Sequence, residues 1–529
     1  MFRFTFCSIG YFVVLFLVFL ILVTYSPITL SAEAYTKLPP VNFPSENPFS
    51  EPKRLLGKIL FWDEQLSTDN SVACGTCHIP AAAGADPRIA NGPGYDEKLG
   101  TPDDIWGSLG VKARDHQGKL SKNKHFHYRQ QVTSRAAQSY FSGLWSDLNF
   151  WDGRAGSQFL DPQTGKVLIK QGGALENQAL GPLFSAVEMA KAEQRPQELI
   201  DKLRQSSPLA LATAWPVDVA QAIENNPSYS ALFERAFGDS EITLARIIFA
   251  ITTYERTLVA NQTPWDQAMQ GVKPLSYQQN LGWEFFKQSG CTDCHKPPLF
   301  TDNKFYNIGI QGQNADLGQS AITGNKAHIG LMKVPSLRNV GLKKTFMHTG
   351  QQHSLGQVID VYAKVPFKSI ASKKPNGELY NFQFTEFQRK AIIEFMQHAL
   401  TDERVKHELY PFDRPQLRSE KPAVNGQQAP EVQPLGVSFL VTETGSSVPK
   451  IDWQKRDKNA ELIDIEIVRN DGYHFWASRS PFIDYTAKAG KTYQYTLYGR
   501  TADFVKSKGH EVEVHIPGSW LDKLMRYFD

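Results

Sequence analysis

The chain has 529 residues, 41% hydrophobic and 21% charged, which excludes a disordered protein and exceeds what one core serves, so two to four domains are expected. The net charge of +3 is too small to call for a nucleic-acid partner, and no Gly-rich phosphate loop stands out. Aromatic residues are plentiful (33 Phe, 19 Tyr, 10 Trp), which fits large cores or packing around a flat cofactor and alone decides neither.

The first segment, MFRFTFCSIGYFVVLFLVFLILVTYSPITLSAEA, has one positive charge, Arg3, and then an uncharged apolar run from Phe4 to Ser31. A secretory leader and a retained membrane anchor share this pattern. Ala32-Glu33-Ala34 has the form of a cleavage site and favours removal after Ala34; the length of the run favours an anchor. Either way the body of the protein is exported, and a periplasmic location is expected.

EPKRLLGKILFWDEQLS (51–67) places Leu55, Leu56, Ile59, Leu60 and Trp62 on a helical face and leads into CGTCH at 74–78. EITLARIIFAITTYERTLVAN (241–261) predicts a long apolar helix, with Arg246, Glu255 and Arg256 arguing against a membrane span. SYQQNLGWEFFKQSG starts at a capping Ser276, ends at Gly290 and leads into CTDCH at 291–295. Further on, TFMHTGQQHSLGQVIDVYAK (345–364) holds four side chains that can bind iron: Met347, His348, His353 and Tyr362. Ser354 reads as an N-cap, and Leu355, Val358, Ile359 and Tyr362 follow at i, i+3, i+4 and i+7, so Tyr362 is expected on the buried face of its helix. TEFQRKAIIEFMQHAL (385–400) predicts another helix, capped by Thr385, with Phe387, Ala391 and Phe395 on one side. After YPFDRP the polar stretch QLRSEKPAVNGQQAPEVQP reads as a linker. GVSFLVTE, ELIDIEIVR, YHFWAS, KTYQYTLYGR and EVEVHIP then alternate as strands, and a small all-β sandwich resembling immunoglobulin or fibronectin type III modules is expected, with a docking or spacing role.

Of the five cysteines, Cys7 lies in the leader and the other four form the two C-x-x-C-H motifs. That motif is the attachment signature of c-type haem. Two thiols three residues apart reach the two vinyl groups of one porphyrin, and the next residue offers an imidazole to the iron. A redox C-x-x-C does not need the trailing His, and a zinc site needs more ligands at zinc-like spacing. Two covalently bound haem c groups are therefore expected, one on Cys74, Cys77 and His78, the other on Cys291, Cys294 and His295.

From about residue 50 to residue 415 the chain resembles the bacterial di-haem cytochrome c peroxidase and MauG family. The segments that carry the likeness are LGKILFWDEQLSTDNSVACGTCH, FWDGRA (150–155), ALGPLFSAVEM (179–189), GCTDCHKPPLFTDNKFYNIGI, KVPSLRNVGL (333–342) and LTDERV (400–405). The resemblance implies a mainly α fold with two cytochrome c-like haem domains facing each other. One haem reacts with hydrogen peroxide, and the other relays electrons or stabilises the oxidised state. The expected division is a leader or anchor at 1–34, haem domains at 35–265 and 266–415, a linker at 416–433 and the β-sandwich at 434–529.

The resemblance also implies roles. Trp151 falls where the family places a Trp between its haems. Arg154 is expected to pair a haem propionate. Gln178, Pro182 and Glu188 match the family's distal pocket at the first haem, where a positioned carboxylate shuttles a proton between the oxygens of peroxide. The insertion GSQFLDPQTGKVLIKQGG lies between Trp151 and Gln178. The peroxidases' distal His, counted back from the Arg that Arg135 matches, falls on Tyr128, with His127 and His125 beside it. The first haem is thus open, as in MauG, or takes one of these histidines as a ligand. The family binds calcium between its domains, but Ala136 follows Arg135 here and LKKTFMH brings Lys343 and Lys344, so calcium is an option these residues do not support.

The axial residue of the second haem comes fourteen positions after the His of the FMHTG-like motif, Met in the peroxidases and Tyr in MauG; counting from His348 gives Tyr362. Met347 is the fallback, His348 a residue behind the ligand, His353 a loop residue before the cap. A thioether raises the potential; an anionic phenolate favours ferric and higher states. The expectation is an exported di-haem oxidoreductase that uses hydrogen peroxide in MauG-like oxidation of a partner protein or molecule. A cytochrome c peroxidase drawing electrons from a donor cytochrome, and a non-enzymatic electron carrier or sensor, are the alternatives.

Overall fold

Ser50 opens the first helix, α1 (Glu51–Phe61), its hydroxyl accepting from the Lys53 amide. In this computed structural model the described residues are 37–88, 90–101, 103–310, 316–364 and 382–420, then 431–441, 447–455, 464–471, 474–477, 480–484, 486–500 and 507–518 of the C-terminal region. The leader read at 1–34 lies outside them. Leu56, Ile59, Leu60, Phe61 and Trp62 are buried, while Leu55 is only half-buried. Gly57 is where the next helix crosses: a Cβ there would lie 1.9 Å from the Ala250 carbonyl oxygen.

The portion from residue 51 to residue 415 is mainly helical. After α1 come α2 (Ala174–Phe184), α3 (Pro196–Gln205), α4 (Val217–Asn225), α5 (Tyr229–Phe237) and α6 (Leu244–Glu255), then α7 (Tyr277–Gln288), α8 (Leu355–Lys364) and α9 (Glu386–Glu394). Helix α6 is the central rod of the first core, with Leu244, Ile247, Ile248 and Ile251 buried against α1. At its end Arg256 makes a buried two-pronged ion pair with Glu176 of α2, at 2.6 and 2.9 Å. Glu176→Gln leaves that guanidinium buried with its partner's charge gone. The expected loss is about 3–5 kcal/mol of unfolding free energy at neutral pH, read by denaturant titration.

Helices α7 and α9 form the second core, again through a glycine: a Cβ at Gly282 would lie 2.0 Å from the Ala391 carbonyl. The Ser276 and Thr385 caps form as expected. Phe387 does not share the buried side of α9. It is 57% exposed and meets Phe285 edge-on, whereas Ala391, Ile392, Phe395 and Met396 are buried. A π-helical turn, Phe395–Ala399, follows α9, with Phe395, Met396 and Ala399 buried. Among the described residues no helix is long and apolar enough to cross a membrane.

Two of the short antiparallel pairs on the helical portion are β1 (Ala90–Gly92) with β2 (Ile105–Gly107), and β3 (Leu109–Lys112) with β4 (Gln130–Val132). The C-terminal region is β5 (Val432–Val441), β6 (Ser447–Lys455), β7 (Asp464–Arg469), β8 (His474–Ala477), β9 (Phe482–Ile483), β10 (Thr492–Arg500) and β11 (His510–His515). They make two antiparallel sheets, ordered β9-β6-β5 and β8-β7-β10-β11. Val432 and Ile451 of the first and Ile467, Phe475 and Tyr495 of the second share one buried cluster. Arg469 ties the sheets by reaching Asp484 at 2.5 Å.

Strands β6 and β9 are absent from the sequence reading. Pro449 argues against a strand at β6, yet β9 pairs only at Lys450 and Ile451, so the missing amide of Pro449 costs no ladder bond on that side. The stretch read as a linker is held through Glu420. Leu417 is fully buried, and the amides of Arg418 and Ser419 donate to the Glu64 carboxylate at 2.8 and 3.1 Å. Lys37–Asp529 pack as one unit.

Candidate functional site

Each C-x-x-C-H motif is wound into one tight turn at the end of a helix lead-in. Cys74–Cys77 form a helical turn in which the Thr76 hydroxyl accepts from the Ala73 amide at 2.8 Å. The His78 Nδ1 meets the Gly84 carbonyl at 2.8 Å. A carbonyl only accepts, so Nδ1 carries the hydrogen and Nε2 keeps its lone pair. At the second motif Gly290 takes φ +81° and opens the turn Cys291–Asp293. His295 repeats the arrangement, its Nδ1 donating to the Phe300 carbonyl at 3.1 Å. Burial lowers the pKa of both imidazoles, favouring the neutral form that binds a metal.

The four thiols are free. Burial pushes Cys74 and Cys291 up to about 12 and Cys294 up to about 11. Redox dithiols are favoured by the opposite shift. Among the described residues no three His, Cys, Asp or Glu side chains converge on one point. A neutral imidazole with Nε2 free, two flanking thiols and a cavity beside them fit a covalently held haem.

The first cavity, of about 640 Å³, is lined by Cys74, Cys77 and His78 and also by Gln178, Pro182, Glu188, Trp151 and Arg154. Helix α2 supplies Gln178 and Pro182. The insertion before it folds into a short hairpin, Phe159–Leu160 with Val167–Ile169, whose Phe159 and Ile169 are fully buried, so the path to α2 is kept. Glu188 follows α2 in a loop fastened to β3, where the Val111 amide donates to the Glu188 carbonyl at 3.2 Å. Burial raises the Glu188 pKa; the Ser185 hydroxyl and the Arg154 charge oppose that rise. Arg154 is not committed to a ligand in this geometry: it holds Asp152 at 3.1 Å, and its guanidinium lies 3.6 Å over the Phe150 ring. His125, His127 and Tyr128 are not among the residues lining the cavity, and Tyr128 is 48% exposed.

The second cavity, of about 190 Å³, is lined mostly by apolar side chains with Cys291, Cys294 and His295 at one wall. Tyr362, on α8, lines it, as do Met347, His348 and Met396. Burial raises the Tyr362 pKa, and the nearby Cys291 and Cys294 thiols add to the rise. Met347 sits in the left-handed region at φ +63°, within a tight loop closed by the Phe346 amide on the Gln352 carbonyl at 2.8 Å. His348 is buried, and burial pulls its pKa down to about 4.

His353 is more than a loop residue. Its ring meets Trp106 of β2 edge-on at 5.3 Å, and Trp106 meets Phe475 of β8 at 6.1 Å. The β region therefore packs against the segment that begins α8. Trp151 lines both cavities. Its Nε1 donates to the Ala136 carbonyl at 2.8 Å, and its ring stands 6.2 Å from that of His348.

Sequence reasoning passed over three cavity residues. Glu255 lines the first cavity, with its carboxyl buried, its Oε2 without a hydrogen-bond partner and its pKa raised by burial to about 8. Lys333 lines both cavities and Lys343 the second. A charged residue closing the apolar run of α6 was the available signal for Glu255.

The family model described as di-haem cytochrome c peroxidase matches residues 51–274. Cytochrome c551 peroxidase of Nitrosomonas europaea is 26% identical over 332 residues, 62% of this chain and 77% of that protein. Methylamine utilization protein MauG of Methylorubrum extorquens is 28% identical over 364 residues, 68% of this chain and 80% of that protein. A solved structure described as a MauG-like protein associated with microbial copper homeostasis aligns with a TM-score of 0.49 and 23% identity, over 71% of this chain and 96% of that one. Residues 51–274, which hold the first of the two C-x-x-C-H turns, match this family model, and the chain is similar to both cytochrome c peroxidase and MauG relatives.

Proposed function

We propose that the protein is exported to the periplasm, carries two covalent haem c groups and uses hydrogen peroxide to oxidise a partner protein or molecule in the manner of MauG. The observation that carries this reading is the shared lining of the second cavity by His295 and Tyr362. Bound haem iron supplies the redox chemistry. The residues around it supply the rest. His78 and His295 offer a lone pair at Nε2. Glu188, half-buried and with a raised pKa, takes a proton from one oxygen of peroxide as the carboxylate and gives it to the other, with Gln178 on the same cavity wall to orient the substrate. Trp151, at the wall common to both cavities, is an aromatic relay for electrons or holes. Tyr362 offers an anionic oxygen that favours the oxidised states over the ferrous one. The β region, of immunoglobulin or fibronectin type III kind, is a docking or spacing module.

Three readings separate on adding peroxide to the haem-loaded full chain. A MauG-like enzyme forms a long-lived state two electrons more oxidised than the resting protein. A detoxifying peroxidase turns over rapidly with reduced cytochrome c, the reading favoured if Met347 rather than Tyr362 is the ligand. A carrier or sensor does neither, and that outcome overturns the proposal.

A further inference from the structure

Two ammonium groups stand at the walls of the cavities with no carboxylate to neutralise them. Lys333, in the two-residue strand Met332–Lys333, is 2% exposed and lines both cavities. Its Nζ donates to Ser146 Oγ at 2.6 Å and to Asn149 Oδ1 at 3.2 Å, both neutral acceptors. Lys343 lines the second cavity, and its charge is felt by His78 of the first. Its Nζ meets the Ala137 carbonyl at 3.4 Å, again a neutral acceptor. Burial alone pulls Lys333 down to about 7 and Lys343 down to about 8. Among the described residues neither lysine makes an ion pair, whereas buried Lys58, Arg256 and Arg338 each hold a carboxylate.

A charge taken out of water without a countercharge is costly, and neutral hydrogen bonds recover only part of the loss. A ligand with its own carboxylates removes the cost. Haem is such a ligand: its two propionates lie on the edge away from the thioether bonds. Arg154, the candidate from the sequence, already holds Asp152 and is 44% exposed at its side chain.

We propose that Lys333 and Lys343 bind haem propionates, their ammonium groups pairing with cofactor carboxylates, Lys333 where it lines both cavities and Lys343 at the wall of the second. This rests on both cavities holding haem. Each pair would neutralise one propionate.

The test uses the haem-loaded full chain with Lys333→Met and Lys343→Met, which keep length and remove charge, and Lys333→Arg, which keeps charge. The readouts are the propionate bending band in the resonance Raman spectrum and a spectroelectrochemical titration. Removing a cation beside a propionate favours ferric iron. At a fixed solution potential the ferrous-to-ferric ratio of the affected haem is expected to fall about tenfold, 59 mV for a one-electron couple. Its propionate band moves, and Lys333→Arg stays near wild type. Lys343→Met carries the test if Lys333→Met fails to fold. An unmoved band and an unchanged ratio in haem-loaded Met variants overturn the lysine assignment. Failure of the unmodified chain to stain for two covalent haems overturns the haem reading beneath it.

Discussion

A Tyr362→Phe variant is expected to lose the low-spin ferric signal of the second haem and to raise that haem's potential, while the first haem's spectrum stays as it is. Tyr362 and the attachment turn line one small cavity, and the phenol feels both thiols of that turn. Axial ligands set haem potentials over a range of about 0.8 V, so a shift on the order of 100 mV or more is the expected scale. Met347 lines the same cavity and is the internal control. Met347→Leu should leave the signal unchanged. If instead Met347→Leu abolishes it and Tyr362→Phe does not, the thioether is the ligand, and the MauG-like reading loses its main support to the cytochrome c peroxidase reading.

Glu188→Gln is expected to slow the reaction with hydrogen peroxide about 10²–10⁴-fold while both haems stay attached. Gln keeps the shape of the side chain and removes its ability to carry a proton. The pH profile gives the sign. Burial raises the Glu188 pKa above the ordinary carboxylate value. Accepting a proton from peroxide requires the carboxylate, so the wild-type rate falls as pH drops through that raised pKa. The Gln variant is slow and flat over the same interval. Stopped-flow spectra across pH test this, and a Gln variant that reacts at the wild-type rate removes Glu188 from the chemistry.

Much of the site was legible because its chemistry is local. A C-x-x-C-H turn holds its thiols and imidazole within five residues, and each turn here keeps its His Nδ1 on a carbonyl five or six residues onward. The helix of Tyr362 was legible from one cap and one period. The β region was read less completely: β6 is interrupted by Pro449 and β9 is two residues long, so neither has the alternation that marks a strand. Phe387 shows the opposite error, an apolar residue on the expected face that stays 57% exposed in the first turn of α9, while Ala391 and Phe395 are buried.

The sequence by itself determined the two C-x-x-C-H turns and the helices leading into them, since these depend on neighbours within a turn or two. Only the tertiary structure decided which distant residues share a wall. It brought Trp151 to both cavities, buried Lys333 and Glu255 beside them, and set His353 against Trp106 beneath the β region. Burial and the loss of water around a charge arise from packing between segments hundreds of residues apart, and no local pattern encodes them.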